Sequence, residues 1–327
     1  MSPYRESLHE MREEASKEAA KEAEKRNREE KRSKLKGLIF KEKKPITTMD
    51  ILHEQAFRED DERYREFRLS LQREDRRLLG EFFGKPIDVP PPPRSITPKR
   101  EQEWKNMGFE LHYLPAEDMN KNREAPGWIE KPTNVSDTLP DSKFSGKMAD
   151  LGLDLYYHST KPSHSELPGK WVLMEKIKKP NAGEQYPADH LAETLGKMRE
   201  AKVISSKESP DPSSRFFVSW EDLHSKRMRR GLAEALKVNS SWVRLPYFIE
   251  YNVWFQLYGS RETVDSNTFE WFEDKAEVPR TDFEIAFIGG KTDKGINGLV
   301  NVNRNPFPET KQEDIGFRLL VELPEEK

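Results

Sequence analysis

The chain of 327 residues contains no cysteine, which removes disulfides, thiolate nucleophiles and every metal centre built on cysteine sulfur. Metal chemistry would fall to seven histidines, His9, His53, His112, His158, His164, His190 and His224. None stands four residues from another, the spacing that places two imidazoles on one helix face. His158 and His164 flank a loop with Pro and Ser and would share a metal only through the accident of folding. The residues whose spacing does build a surface are amides. Asn301, Asn303 and Asn305 alternate with Val300 and Val302, so a strand there presents three amides on one side and apolar groups on the other. Such an array on a rigid scaffold suits recognition of a ligand.

Several elements must hold that array. The run Phe283 to Ile288 alternates into an apolar end, and Gly289, Gly290, Gly295 and Gly298 supply turns. Phe317, Leu319 and Val321 alternate with Arg318, Leu320 and Glu322 as a closing strand would. Trp171 to Ile177 is apolar and stops at Pro180, which predicts a strand. Asp189 to Lys202 has helical spacing at Leu191, Leu195 and Met198, with Asp189 as its N-cap. Ser219 and Asp222 form a capping-box pattern that opens a helix running towards Leu236. A further helix starts after Pro246.

The first hundred residues have another character. Ser2 to Lys36 is rich in Glu, Lys, Arg and Ala and predicts a solvated helix with a thin seam at Tyr4, Leu8, Met11, Ala15 and Ala19. A second helix spans Thr48 to Phe83, stopped by Gly84 and Pro86, with Phe57, Tyr64, Leu71 and Leu78 seven apart. That stripe suits a coiled-coil seam, docking on the globular part, or a hairpin with the first helix. Asp60, Asp61 and Glu74 interrupt a clean heptad pattern. Four prolines from Pro90 to Pro93 predict a stiff spacer. The expected domains are therefore a charged helical extension over 1–84, a Pro-rich linker over 85–104 and a globular domain over 105–327.

Charged residues make up 35% of the chain and hydrophobic ones 34%, with a net charge of -3 and a mean hydropathy of -0.94. Basic and acidic residues are interleaved, so no basic stripe points to nucleic acid. No apolar run approaches the length that spans a bilayer, and no signal-peptide core precedes the first helix. A cytoplasmic protein without a membrane span is the expectation.

Five strings occur in a telling order: Val218-Ser219-Trp220-Glu221-Asp222, Arg244-Leu245-Pro246, Asn267-Thr268-Phe269-Glu270-Trp271, Ile288-Gly289-Gly290 and Gly316-Phe317-Arg318. They resemble the C-terminal half of the formylglycine-generating-enzyme (sulfatase-modifying-factor) family, a variant of the C-type lectin fold. The resemblance implies an α+β class and a C-type-lectin-like domain carrying an N-terminal helical extension. Formylglycine-generating enzymes hold copper with two cysteines before the Gly-Phe-Arg string, where this chain has Asn301 to Thr310 and no thiol. No copper site is evident, and this departure from the family's pattern makes a non-enzymatic protein the expectation. The alternative is a metal-dependent oxidase of the sulfatase-modifying-factor type with a non-cysteine site.

The family also implies structural calcium, for which Asp265, Asn267 and Glu270 stand at the matching place; pairing of Glu270 with Arg244 or Arg318 is the competing expectation. Arg244 and Arg318 themselves match arginines that hold loops from the interior. Residues 295–305 resemble the end of the variable proteins of diversity-generating retroelements and of uncharacterised proteins of small-genome bacteria. That likeness implies a ligand face of Lys291, Asp293, Asn297, Asn301, Asn303, Asn305 and Phe307, for an unidentified protein or carbohydrate. Self-association would run through the N-terminal helices.

Overall fold

A computed structural model describes residues 48–125, 127, 129–130, 142–143, 146–151, 154–205, 209, 211–259, 266–277, 284–289, 302–304 and 306–324. The class is α+β. Contacts divide the chain into Met1–Asp61 and Glu62–Lys327. The described part of the first unit is the beginning of helix α1, Thr48–Phe83. The expected seam between Tyr4 and Ala19 lies outside the described residues. No described helix is long and apolar enough to cross a membrane.

The second unit is built on two four-stranded sheets. One has the order β1 (Phe109–Leu114), β4 (Lys170–Glu175), β10 (Leu320–Glu322), β5 (Val243–Arg244), all antiparallel. The other runs β8 (Val302–Arg304), β7 (Glu284–Gly289), β6 (Phe269–Glu277), β9 (Ile315–Phe317), with only the β6 and β9 pair parallel. Two short strands, β2 (Ile129–Glu130) and β3 (Ser142–Lys143), pair separately. The expected closing strand is in fact two. Residues 315–317 belong to one sheet and residues 320–322 to the other, with Arg318 and Leu319 at the crossing. Phe317 to Val321 are all buried, because apolar partners lie on both sides of the crossing and an alternating strand would have exposed half of them.

β4 is central in its sheet and buried at every position from Trp171 to Glu175, which explains why its apolar run does not alternate. Helices α2 (Pro98–Asn106) and α3 (Asp154–Ser159) precede β4 in the chain, and α4 (Ala192–Glu200) follows it. The helix expected from Ser219 to Leu236 is split into α5 (Trp220–His224) and α6 (Lys226–Leu236). Its capping box is present: Ser219 Oγ accepts from Asp222 N at 3.1 Å and Asp222 Oδ2 from Ser219 N at 3.2 Å. Ser225 then takes an extended conformation, and its Oγ accepts from Met228 N at 3.2 Å, so a second N-cap restarts the helix. Helix α7 (Phe248–Tyr258) follows Pro246 as expected. It is mostly apolar and buried from Phe248 to Phe255, with Glu250 and Asn252 as its buried polar side chains.

From Glu62 onward α1 docks on the sheets by the stripe of Phe67, Leu71, Leu79 and Phe82, among the outcomes its heptad pattern allowed. An acid completes the contact. Asp75 is 2% exposed and accepts from Tyr113 N at 2.6 Å, His112 Nδ1 at 3.0 Å and Tyr258 Oη at 3.1 Å. The His112 ring stacks on Tyr258 with centroids 3.5 Å apart. Burial lowers the His112 pKa, but Asp75 and Glu110 outweigh it and raise the value above its ordinary 6.5. A raised folded-state pKa gives stability that is complete below the unfolded value and is lost as pH rises through the folded one. Thermal melts should therefore show a decline above pH 6.5 that disappears in His112→Gln. Equal decline in both proteins would place the titrating group elsewhere.

The Pro-rich stretch is not a spacer. Ile87, Val89 and Ile96 are buried, and Pro92 and Pro93 with them. Proline carries no N–H, so the run leaves carbonyls to be satisfied, and side chains donate to them. Trp171 Nε1 donates to Pro90 O at 3.1 Å, Arg68 Nε to Pro92 O at 2.8 Å, and Gln72 Nε2 to Val89 O. Residues 98–106 form α2, capped by Thr97 Oγ1 on Arg100 N at 3.1 Å. The boundaries expected at 84 and 104 are thereby corrected: the compact unit begins at Glu62 and includes 85–104. Trypsin should spare Lys85, Arg94 and Lys99 under native conditions. Early cleavage there, read by mass spectrometry, would contradict this packing.

Candidate ligand-binding face

The interior of the second unit holds a lattice of buried charge. Glu175, at the end of β4, is fully buried and accepts both Nη groups of Arg215, at 2.8 and 2.7 Å. Arg215 Nε also donates to Asp189 Oδ2 at 2.8 Å, so one guanidinium joins two carboxylates. Arg318, at the crossing between sheets, donates to Glu270 from Nε at 3.2 Å and from Nη2 at 3.1 Å. Its Nη1 donates to the Glu175 carbonyl at 2.7 Å and to the Ile177 carbonyl at 2.8 Å. Tyr186 Oη donates to Glu270 Oε1 at 2.9 Å. A Cβ on Gly316 would lie 2.5 Å from that hydroxyl, so glycine is required for the approach.

Burial alone would raise the Glu175 carboxyl, but the guanidinium of Arg215 brings it down to about 2. Burial would lower Arg215, and its two carboxylates more than reverse this. The network ties β4, β6 and the β9 to β10 crossing into one body.

Of the expected calcium set, Glu270 pairs with Arg318. Asn267 Oδ1 accepts from Ala182 N at 2.6 Å. Asp265 lies outside the described residues. Both oxygens of Glu270 and the amide oxygen of Asn267 thus face protein donors. Arg244 holds Glu250 at 2.7 Å and Glu322 at 3.1 Å, tying α7 to β10. Among the described residues no three His, Asp or Glu side chains group as metal ligands. His164 Nδ1 lies 3.1 Å from Asp274 Oδ1, His224 Nε2 lies 3.0 Å from Glu273 Oε1, and His158 is exposed.

Of the expected ligand face, Lys291, Asp293, Asn297, Asn301 and Asn305 lie outside the described residues, and Asn303 is placed as the middle residue of β8. β8 and β7 are antiparallel neighbours with Gly289 opposite Val302, and β8 is an edge strand of the sheet. Phe307 is 48% exposed, one of two large hydrophobic side chains exposed among the described residues. Its neighbours hold it in place: Pro306 O accepts from Ala286 N at 2.9 Å and Pro308 O from Glu221 N at 3.1 Å. Trp220, next in sequence to Glu221, donates from Nε1 to Phe272 O at 2.9 Å and lies under Lys275 Nζ at 4.6 Å. The stacking of Lys275 over Trp220 is not visible in the sequence, where the two stand far apart. The exposed aromatic, by contrast, is legible as Phe307 between two prolines.

No family model matches the chain, and no curated protein matches it. Among solved structures, the crystal structure of CarF aligns with 60% of this chain and 97% of its own length, at 13% identity. Its TM-score of 0.33 is too low to carry an argument about fold or function.

Proposed function

We propose that the chain is a non-enzymatic ligand-binding protein with a C-type-lectin-like scaffold, whose face is formed by residues 290–305 and Phe307. The observation that carries this reading is the division of labour in the second sheet. Its β6 and β9 side is locked by the Arg318 and Glu270 pair, whereas β7 and β8, the two strands that flank residues 290–301 in sequence, lie on the opposite side of the sheet order. A braced interior beside a connecting segment is what a scaffold needs if side chains on the segment are to vary without loss of the fold. Phe307 supports the same reading, since a fixed exposed aromatic is the usual anchor of a protein-binding surface.

Two measurements test the proposal. Exchanging Asn301, Asn303 and Asn305 together for Tyr, Ser or Asp should move the unfolding free energy by no more than about 0.5 kcal/mol per site while changing which ligands are retained. A triple variant that unfolds would show that these amides satisfy buried backbone groups, and the face would have to be given up. Metal analysis of purified protein separates the enzymatic alternative, because stoichiometric copper or iron would sink the non-enzymatic reading.

A further inference from the structure

A cleft of about 500 Å³ opens on the other sheet, between the proline run and the end of β10, within the size range of small-molecule sites. Its walls carry three cations, Arg68, Arg94 and Lys170, and among the described residues no carboxylate lines it. Lys170 pairs outside the lining with Glu322, and Arg244 is shared between Glu322 and Glu250, so Lys170 adds N–H donors while the surplus charge falls to Arg68 and Arg94. Arg68 spends Nε and Nη2 on the Pro92 carbonyl and keeps its Nη1 edge out of that bond. Arg94 is exposed, and its guanidinium makes no hydrogen bond or ion pair among the described residues. The cleft is therefore electropositive.

The rest of the lining sets the kind of anion. Tyr113, Trp171, Leu323 and the rings of Pro90 to Pro93 give it an apolar side. Phosphate sites are usually cradled by backbone N–H groups, and a wall of four prolines offers none. A carboxylate needs only the forked guanidinium that Arg94 presents. We infer that this cleft binds a small organic carboxylate with an apolar body, its charge set against Arg94 and Lys170 and its body against the prolines and Trp171.

The site is independent of the proposed face, and its test leaves that reading untouched. Isothermal titration of the full chain with phenylacetate at low salt should give saturable one-site binding. Arg94→Gln, at an exposed position, should weaken it by about tenfold, equivalent to about 1.4 kcal/mol. Lys170→Gln should weaken it in the same direction, and inorganic phosphate should fail to compete. No saturation up to about 10 mM phenylacetate, a range that covers millimolar dissociation constants, would overturn the inference. So would affinity unchanged in Arg94→Gln, or phosphate competing as well as phenylacetate.

Discussion

Glu175→Gln is expected to destabilise the protein by roughly 3 to 5 kcal/mol, the range for removing one partner of a buried ion pair. Four donors converge on Glu175: both Nη groups of Arg215 on its carboxylate, Leu319 N on Oε2 at 3.1 Å, and Arg318 Nη1 on its carbonyl. The glutamine keeps the shape, but its amide nitrogen points a donor at a buried guanidinium that already lacks one charge partner. Asp189 alone then balances Arg215, which is why the cost should exceed that of an exposed pair such as Lys197 with Glu193.

Acid should act in the same direction. A carboxyl held at about 2 in the folded state contributes stability that is present above its unfolded value of 4.5 and is lost as pH falls through the folded one. Urea unfolding followed from roughly pH 5 down to pH 2 should show a steep fall in the wild-type protein and a shallower one in Glu175→Gln. A cost below about 1 kcal/mol, the level of a surface pair, would mean that water reaches the lattice.

The parts of the fold that were legible in the sequence are those decided locally. A serine three residues before an acid set the start of α5, and glycine with proline after Phe83 set the end of α1, where Gly84 takes a φ of +64°. The parts that were not legible depend on partners distant in sequence. In a chain with 35% charged residues, Glu175, Asp189 and Arg215 look like surface groups, and only folding brings Arg215 to residues 26 and 40 positions away.

Asp75 is a similar case. It sits in a helix whose neighbouring acids break a heptad pattern, yet it is the residue that anchors the helix to β1 and α7. The proline run was misread for the same reason, since its stiffness is visible in sequence whereas the donors that hold its carbonyls are not. For the candidate face, the exposed aromatic was legible and the bracing pair of Glu270 with Arg318 was one of two outcomes the sequence allowed.

Phe317→Ala and Phe307→Ala form the second contrast, because the two rings belong to the same short stretch of chain and should behave oppositely. Phe317 is fully buried in β9, opposite Trp271 in parallel register, and the Arg215 guanidinium lies 5.5 Å from its ring. Removing the ring leaves a cavity against the charge lattice, where relaxation is restricted by the bidentate pairs, so a cost of roughly 3 to 5 kcal/mol is expected. Its carbonyl also accepts from Arg215 Nη1 at 3.2 Å, and a collapse of the backbone into the cavity would strain that bond. Phe307 is 48% exposed, and its loss should change stability by no more than about 0.5 kcal/mol. Its loss should instead weaken ligand retention, as truncation of an aromatic anchor does. Chemical denaturation of both variants decides the matter: comparable destabilisation would make Phe307 part of the core, and the binding face would lose its one described anchor.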